Sequence, residues 1–386
     1  MIPFFDPTRS ASAGEAELTE AFLRVLRSGR YILGPEVDEF EQACRRMLDV
    51  PYTIGVSSCT DALLSSMMAL DLRPGDEVIC PSYTFFSTAG SVARLGGRPV
   101  FADILPGSFT LDPADVSRRI TSKTVGIIAV HLFGLPADMV SLLDIARSRG
   151  LWLLEDCAQA MGAELGGRRA GTLGTLGCFS FFPTKNLGGF GDGGLVVTSD
   201  AKLARRVRAL RGHGAEAKHN HQIVGGNFRI DALHAALLCV KLKTFAADLE
   251  RRRKNAALYD ALFTGAGLAD LQSPGDPRFP IDLGDRAASH TFNQYVIRVR
   301  GEGARDRLRQ SLTERGIGTE IYYPVPLHLQ PAFASLGGSD LPVSECAARE
   351  SLALPIFPEL TEAEIRIVAQ SIESLAERAA RPEPTR

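Results

Sequence analysis

Through its first two hundred residues the chain alternates short apolar runs with stretches of helical period. YTIGVSS from Tyr52, DEVICPS from Asp76, RPVFADI from Arg98, TVGIIAVHLF from Thr124 and LWLLEDC from Leu151 are brief and often β-branched. Gly, Pro or Asp bounds each of them, the mark of strands buried on both faces. Between them, TDALLSSMMAL and DMVSLLDIARSRG carry helical spacing, the second closing on a glycine suited to a helix end. This alternation predicts a mostly parallel sheet covered by helices on both faces. CFSFFP and GGLVVTS follow with no room for a crossover helix, which predicts two strands joined by a tight hairpin.

From Ala201 the character changes to long charged helices. AKLARRVRALRGHG is one, and the stretch from Ile230 to Phe263 reads as a single long helix bridging two domains. The basic run Arg251 to Lys254 on it is expected to be a solvated face. The pattern divides the chain into a large α/β domain over residues 1–245, including the amino-terminal segment, and a smaller α+β domain over 246–386. TFNQYVIRVR is the clearest strand of the second, and the Pro-containing tail from Glu377 is expected to fray.

Composition narrows the class without naming it. The 386 residues are 45% apolar and 23% charged, with a net charge of -2, so no global field recruits nucleic acid or an anionic membrane. No apolar run approaches the length of a membrane span, and MIPFFDPTRS lacks the basic-then-apolar order of a secretory signal. Seven cysteines without a C-x-x-C pair suit reduced thiols. A cytoplasmic enzyme is expected.

Candidate chemistry gathers in three places. Gly189, Gly191 and Gly194 have the G-x-G-x-x-G letters of a dinucleotide loop, but LVVTS, a strand, follows where a helix should open. Those glycines instead suit a close backbone approach. Ser58, Cys59 and Thr60 lie between a strand and a helix, where free N–H groups and the helix dipole favour a phosphate, although an ordinary N-cap has the same look. Asp156 and Gln159 follow the apolar run LWLL, at the strand end where open α/β sheets place ligands. Lys185 stands beside so many apolar residues that desolvation can make its amine nucleophilic. Together these are the parts needed to hold pyridoxal 5'-phosphate by phosphate, ring nitrogen, phenolic oxygen and aldehyde. His213, His219 and His221 are clustered in a polar loop, without the ligand spacing of a metal site.

SSCTDAL, PSYTFFSTAG, EDCAQA, FSFFPTKNLGGFGDGG, GGNFRIDALHAA and YYPVPLHLQPAF resemble, in this order, the DegT/DnrJ/EryC1/StrS aminotransferases. The resemblance runs from about residue 31 to about residue 350. It implies a fold-type-I aminotransferase with a mostly parallel seven-stranded sheet, acting on nucleotide-linked keto sugars. It also implies that Lys185 is the catalytic residue, bonded to the cofactor's aldehyde, with Asp156 at the pyridine nitrogen and Gln159 at the phenolic oxygen. Thr60, the Cys59 backbone and Ser180 would hold the phosphate, and Phe85 would stack on the ring. Asn227 would reach the phosphate in the neighbouring subunit's site, which implies a homodimer with shared active sites. Tyr31, Arg229, Tyr323 and His328 would contact the substrate.

Two positions depart from the family's pattern: Cys59, where a smaller residue is usual, and His234, where glutamine is common. Cys59 would narrow the phosphate end and adds a thiol whose reactivity is a concern. The expected reaction moves an amino group from an amino acid, L-glutamate by resemblance, through the pyridoxamine form. The expected acceptor is a UDP- or dTDP-linked 3-keto hexose or hexuronate, with a 4-keto sugar as the alternative. A dehydratase of this family would commonly carry histidine in place of Lys185, and a non-catalytic binder would not need Lys185, Asp156 and Gln159 together.

Overall fold

The apolar runs do lie edge to edge. The computed structural model describes residues 1–217, 219–266, 268, 290–338 and 340–379. Its main sheet has seven strands: β1 (Tyr52–Val56), β2 (Glu77–Pro81), β3 (Arg98–Ala102), β4 (Thr124–Val130), β5 (Trp152–Asp156), β6 (Leu176–Ser180) and β7 (Gly194–Thr198). Their order is β1-β7-β6-β5-β4-β2-β3. β7 runs antiparallel to both of its neighbours, and every other adjacent pair is parallel. The sheet is therefore the α/β arrangement that the pattern predicts. Apolar side chains fill both of its faces, with Ile54, Leu154 and Val196 on one side and Ile79, Ile127 and Leu153 among those on the other. Such double burial is why these strands read as continuous apolar runs rather than alternating ones.

Two local expectations need correction. β6 and β7 pair antiparallel as predicted, but no tight hairpin joins them. The connection runs from Phe181 to Gly193 and is pinned to itself by Gly189 N–H to Phe181 O and Phe181 N–H to Gly193 O. The expected bridging helix is also two helices, Ala232–Leu242 and Phe245–Gly265. The break lets Phe245 and Leu249 pack tightly against Gly162, where a Cβ would come within 2.7 Å of Leu249.

The basic run on the second of these helices is only partly solvated. Arg251 and Lys254 are exposed, but Arg252 is 2% exposed and donates to the carbonyls of Phe292 and Ile356. Burial, only partly opposed by the charges of Glu359 and Asp248, lowers its pKa to about 10.

Beyond these helices, β8 (Tyr295–Arg298) and β9 (Ser351–Leu354) pair antiparallel beside helix Glu362–Ala379. Tyr259, Tyr295, Leu352 and Ile365 centre a separate core there. The amino terminus joins that core: Ile2 is buried in it and bridges to Ile317. The tail from residue 380 lies outside the described residues. Among the described residues, no helix is long and apolar enough to cross a membrane.

Candidate active site

The carboxyl ends of the parallel strands open into a cavity of about 580 Å³. Its wall includes Cys59, Thr60, Phe85, Asp156, Gln159, Ser180, Lys185 and Tyr323, so eight of the twelve expected site residues meet here. Each arrives on a different device of the fold. β5 ends at Asp156, β6 ends at Ser180, and the helix Cys59–Ala69 begins at the end of the loop that follows β1.

The helix start is built to receive an anion. Ser58 is its N-cap, its hydroxyl accepting from Asp61 N–H at 3.0 Å. Among the described residues, no acceptor meets the amides of Cys59 and Thr60, which are left at the positive end of the dipole. Gly194 makes the approach of β7 to this turn possible, since a Cβ there would stand 2.5 Å from the Ser58 carbonyl and 2.8 Å from the Cys59 nitrogen. The Cys59 thiol is buried 4.0 Å from Asp156 Oδ1. Burial, and secondarily that carboxylate, push its pKa well above the usual thiol value, so it stays protonated and the expected reactivity is not realised.

Asp156 is 4% exposed. It accepts from Thr88 Oγ1 at 2.9 Å and from Ala158 N–H at 3.2 Å. Among the described residues no cation hydrogen-bonds to it, and burial raises its pKa although the Ala158 and Thr88 bonds oppose the shift. A cationic N–H in the cavity is the group this carboxylate lacks. Gln159 is oriented by the chain: Phe133 N–H donates to its Oε1 at 2.6 Å, which turns Nε2 inward to donate to the Tyr323 hydroxyl at 3.1 Å. One further amide hydrogen remains for an oxygen acceptor.

Lys185 follows a turn closed by its own N–H to Phe182 O. Its side chain is only half-buried by accessible area because the cavity admits solvent, but protein surrounds it, and that desolvation lowers its pKa. No described side chain hydrogen-bonds its amine. Phe85 stands 58% exposed at the cavity, its ring centroid 6.3 Å from that of Tyr323. The donor set therefore fits pyridoxal phosphate: unpaired amides for a phosphate, a carboxylate without a cation, an inward amide N–H and a desolvated amine.

Four expected residues are elsewhere. His328 is buried away from the cavity, its Nδ1 2.6 Å from Ser82 Oγ and its Nε2 3.4 Å from Glu345. It does not line the cavity, and both ring nitrogens face protein partners rather than the space a substrate would fill. Tyr31 and Asn227 are exposed, Arg229 is half-buried, and none of the three lines this chain's cavity. His213, His219 and His221 occupy an exposed turn, where His221 Nδ1 donates to the His213 carbonyl.

Sequence reasoning missed Thr88, whose hydroxyl holds Asp156. Its position in the first turn of the helix Ser87–Arg94, three residues after Phe85, is the available signal. It also missed a buried trio, His131, Glu155 and Cys157, whose ligand atoms lie within 4.8 Å of one another. Ala137 N–H donates to His131 Nδ1, so the ring proton is on Nε2, which donates to Glu155 Oε2 at 2.9 Å. Glu155 also accepts from the amides of Gly171, Leu173 and Gly174. Its oxygens are saturated, and the trio is a structural fastening.

Comparison with known proteins agrees with this geometry. The DegT/DnrJ/EryC1/StrS aminotransferase family matches residues 12–373. A protein of Geobacillus stearothermophilus named pleiotropic regulatory protein is 43% identical over 373 residues, 96% of this chain and 97% of that one. The UDP-N-acetyl-3-dehydro-alpha-D-glucosamine 3-aminotransferase of Acidithiobacillus ferrooxidans is 39% identical over 371 residues, again 96% and 97%. The crystal structure of DesV from S. venezuelae, in complex with a ketimine intermediate, is 38% identical with a TM-score of 0.91 and covers 99% of each chain. NtdA from Bacillus subtilis, with bound cofactor PMP, is 30% identical at a TM-score of 0.89, covering 97% of this chain and 85% of that one. The family and these neighbours imply a pyridoxal or pyridoxamine phosphate enzyme of fold type I. The chain belongs to the DegT/DnrJ/EryC1/StrS aminotransferase family.

Proposed function

We propose that this chain binds pyridoxal 5'-phosphate and transfers an amino group from L-glutamate to a UDP- or dTDP-linked 3-keto hexose or hexuronate. The observation that carries the reading is the meeting of Lys185, Asp156 and Gln159 in one cavity with two unpaired helix amides. The 3-keto preference is supported by the relative named as a 3-aminotransferase.

When bound, the cofactor supplies an aldehyde to carry the amino group and a ring to withdraw electrons. The chain's own residues do the rest. The Cys59 and Thr60 amides, with the Ser180 hydroxyl, hold the phosphate. Asp156 keeps a proton on the ring nitrogen, and Gln159 Nε2 donates to the phenolic oxygen. Phe85 covers one ring face and excludes water. Lys185 Nζ, whose desolvation favours the uncharged amine, takes the proton from the donor's α-carbon. Tyr31, Asn227 and Arg229 serve the neighbouring subunit's cavity in a homodimer, which accounts for their absence from the wall of their own. With the chain divided near residue 245, as we propose, most of the cavity's lining belongs to the larger unit, and Gln294 and Glu320 to Tyr323 come from the smaller.

The relative named as a regulatory protein raises a non-catalytic reading. The retained lysine speaks against it, since binding alone needs no nucleophilic amine. The test is amination of a panel of keto-sugar nucleotides with glutamate, read by product mass. Transfer to 3-keto substrates is expected, and Lys185→Ala should lose multiple turnover and the absorbance of the lysine-bound cofactor. Turnover that survives Lys185→Ala overturns the assignment.

A further inference from the structure

The glycines around Phe190 have a partner that the proposed chemistry does not use. His234, on the helix Ala232–Leu242, places its ring between Gly189 and Gly193. A Cβ at Gly189 would stand 1.9 Å from His234 Nε2, and one at Gly193 would stand 3.1 Å from Cε1. Both ring nitrogens bind loop backbone: Phe190 N–H donates to Nε2 at 3.1 Å, and Nδ1–H donates to the Asp192 carbonyl at 2.8 Å. That pair of bonds requires one species, the neutral ring with its proton on Nδ1. The segment so held belongs to the cavity, because Asp192 and Gly193 line it. It is also tied to its floor, since Gly193 O accepts from Phe181 N–H, next to Ser180.

We propose that His234 is a positioning residue, fastening the loop Gly189–Gly193 against the phosphate end of the cavity through both nitrogens of its neutral ring. It touches neither the cofactor nor the substrate, and acts through the Phe190 amide and the Asp192 carbonyl. The inference rests on the cofactor assignment above only where it concerns cofactor affinity.

Chemistry sets a clear consequence. Protonation turns Nε2 from an acceptor into a donor facing the Phe190 N–H, so that bond is lost in acid. The charged groups that reach the ring are Asp192 on the loop, Asp231 before the helix and Lys241 further along it. Burial is the largest influence and lowers the ring's pKa, which the two acids oppose and Lys241 assists. The fastening therefore persists at neutral pH and loosens only below the ordinary histidine range. A glutamine side chain offers one acceptor and one donor and does not titrate.

The experiment compares wild type, His234→Gln and His234→Ala. Hydrogen exchange of the peptide spanning residues 187–194, in cofactor-free protein, reads the loop directly. Equilibrium binding of pyridoxal 5'-phosphate, followed by absorbance across pH, reads the consequence. His234→Ala should exchange this peptide faster and bind the cofactor about tenfold more weakly, the effect expected of losing two modest hydrogen bonds. His234→Gln should keep both properties at neutral pH and lack the acid-side weakening of the wild type. The phosphate's own ionisation is common to all three proteins and cancels. Unchanged exchange in His234→Ala, or a His234→Gln as loose as His234→Ala, overturns the proposal. Wild-type protein that binds no cofactor but shows the predicted exchange pattern would overturn the functional reading and leave the fastening intact.

Discussion

Glu155 and Asp156 are consecutive carboxylates at the end of β5, equally deep in the protein, with opposite surroundings. Strand alternation sends them to opposite faces. Glu155 meets three backbone amides and the His131 ring. Asp156 meets one hydroxyl, one amide and, at 4.0 Å, the Cys59 thiol, with its remaining capacity turned into the cavity. The saturated acid fastens the fold, and the under-satisfied one waits for a ligand. Depth alone does not separate structure from function here; the count of hydrogen-bond donors does.

The comparison breaks most sharply if Asp156→Asn leaves turnover intact. Loss of the anion opposite the ring should lower kcat on the order of 10³-fold, as for other electrostatic groups at a reacting centre, measured with glutamate and the accepted keto sugar. The same variant should not lower the melting temperature of cofactor-free protein. The sign follows from burial, which raises Asp156's folded pKa above its unfolded value, so the folded state binds more protons. Wild-type stability therefore falls as pH rises through that interval, and the asparagine variant should lack that fall.

Glu155→Ala should do the reverse. Orphaning three buried amides and His131 should cost about 3 kcal/mol of stability, read by chemical denaturation. Folded Glu155→Ala that binds cofactor normally sharpens the contrast, and an undiminished unfolding midpoint ends it. The smallest effect belongs to Thr88→Val, which removes the one hydroxyl that donates to Asp156. It should cost about 1 kcal/mol, seen as about a fivefold drop in kcat/KM with little change in melting temperature.

Some of this was legible in the chain and some was not. The seven strands were readable because burial on both faces makes each an uninterrupted apolar run. Lys185, Asp156 and Gln159 were readable because each follows such a run directly, so local order fixes their strand-end positions. The loop between β6 and β7 does not read as more than a tight hairpin, because its path is set by the His234 ring, which lies far from it in sequence. The single bridging helix failed for a similar reason: both halves have helical pattern, and only packing against Gly162 decides the break. Arg252 carries the same letters as its solvated neighbour Arg251, yet the fold turns it inward onto two carbonyls. His328 shares its motif with the cavity-lining Tyr323, yet tertiary packing turns its ring onto Ser82 and Glu345.

The sequence by itself determined the strands, their α/β class and the order in which an acid, an amide and a lysine follow the strand ends. Those are consequences of local burial pattern and chain direction. Only the tertiary structure decided that Glu155 is satisfied while Asp156 is not, and that His234 occupies the space two glycines leave open. Hydrogen-bond saturation depends on groups brought together from distant segments, and no local pattern encodes their count.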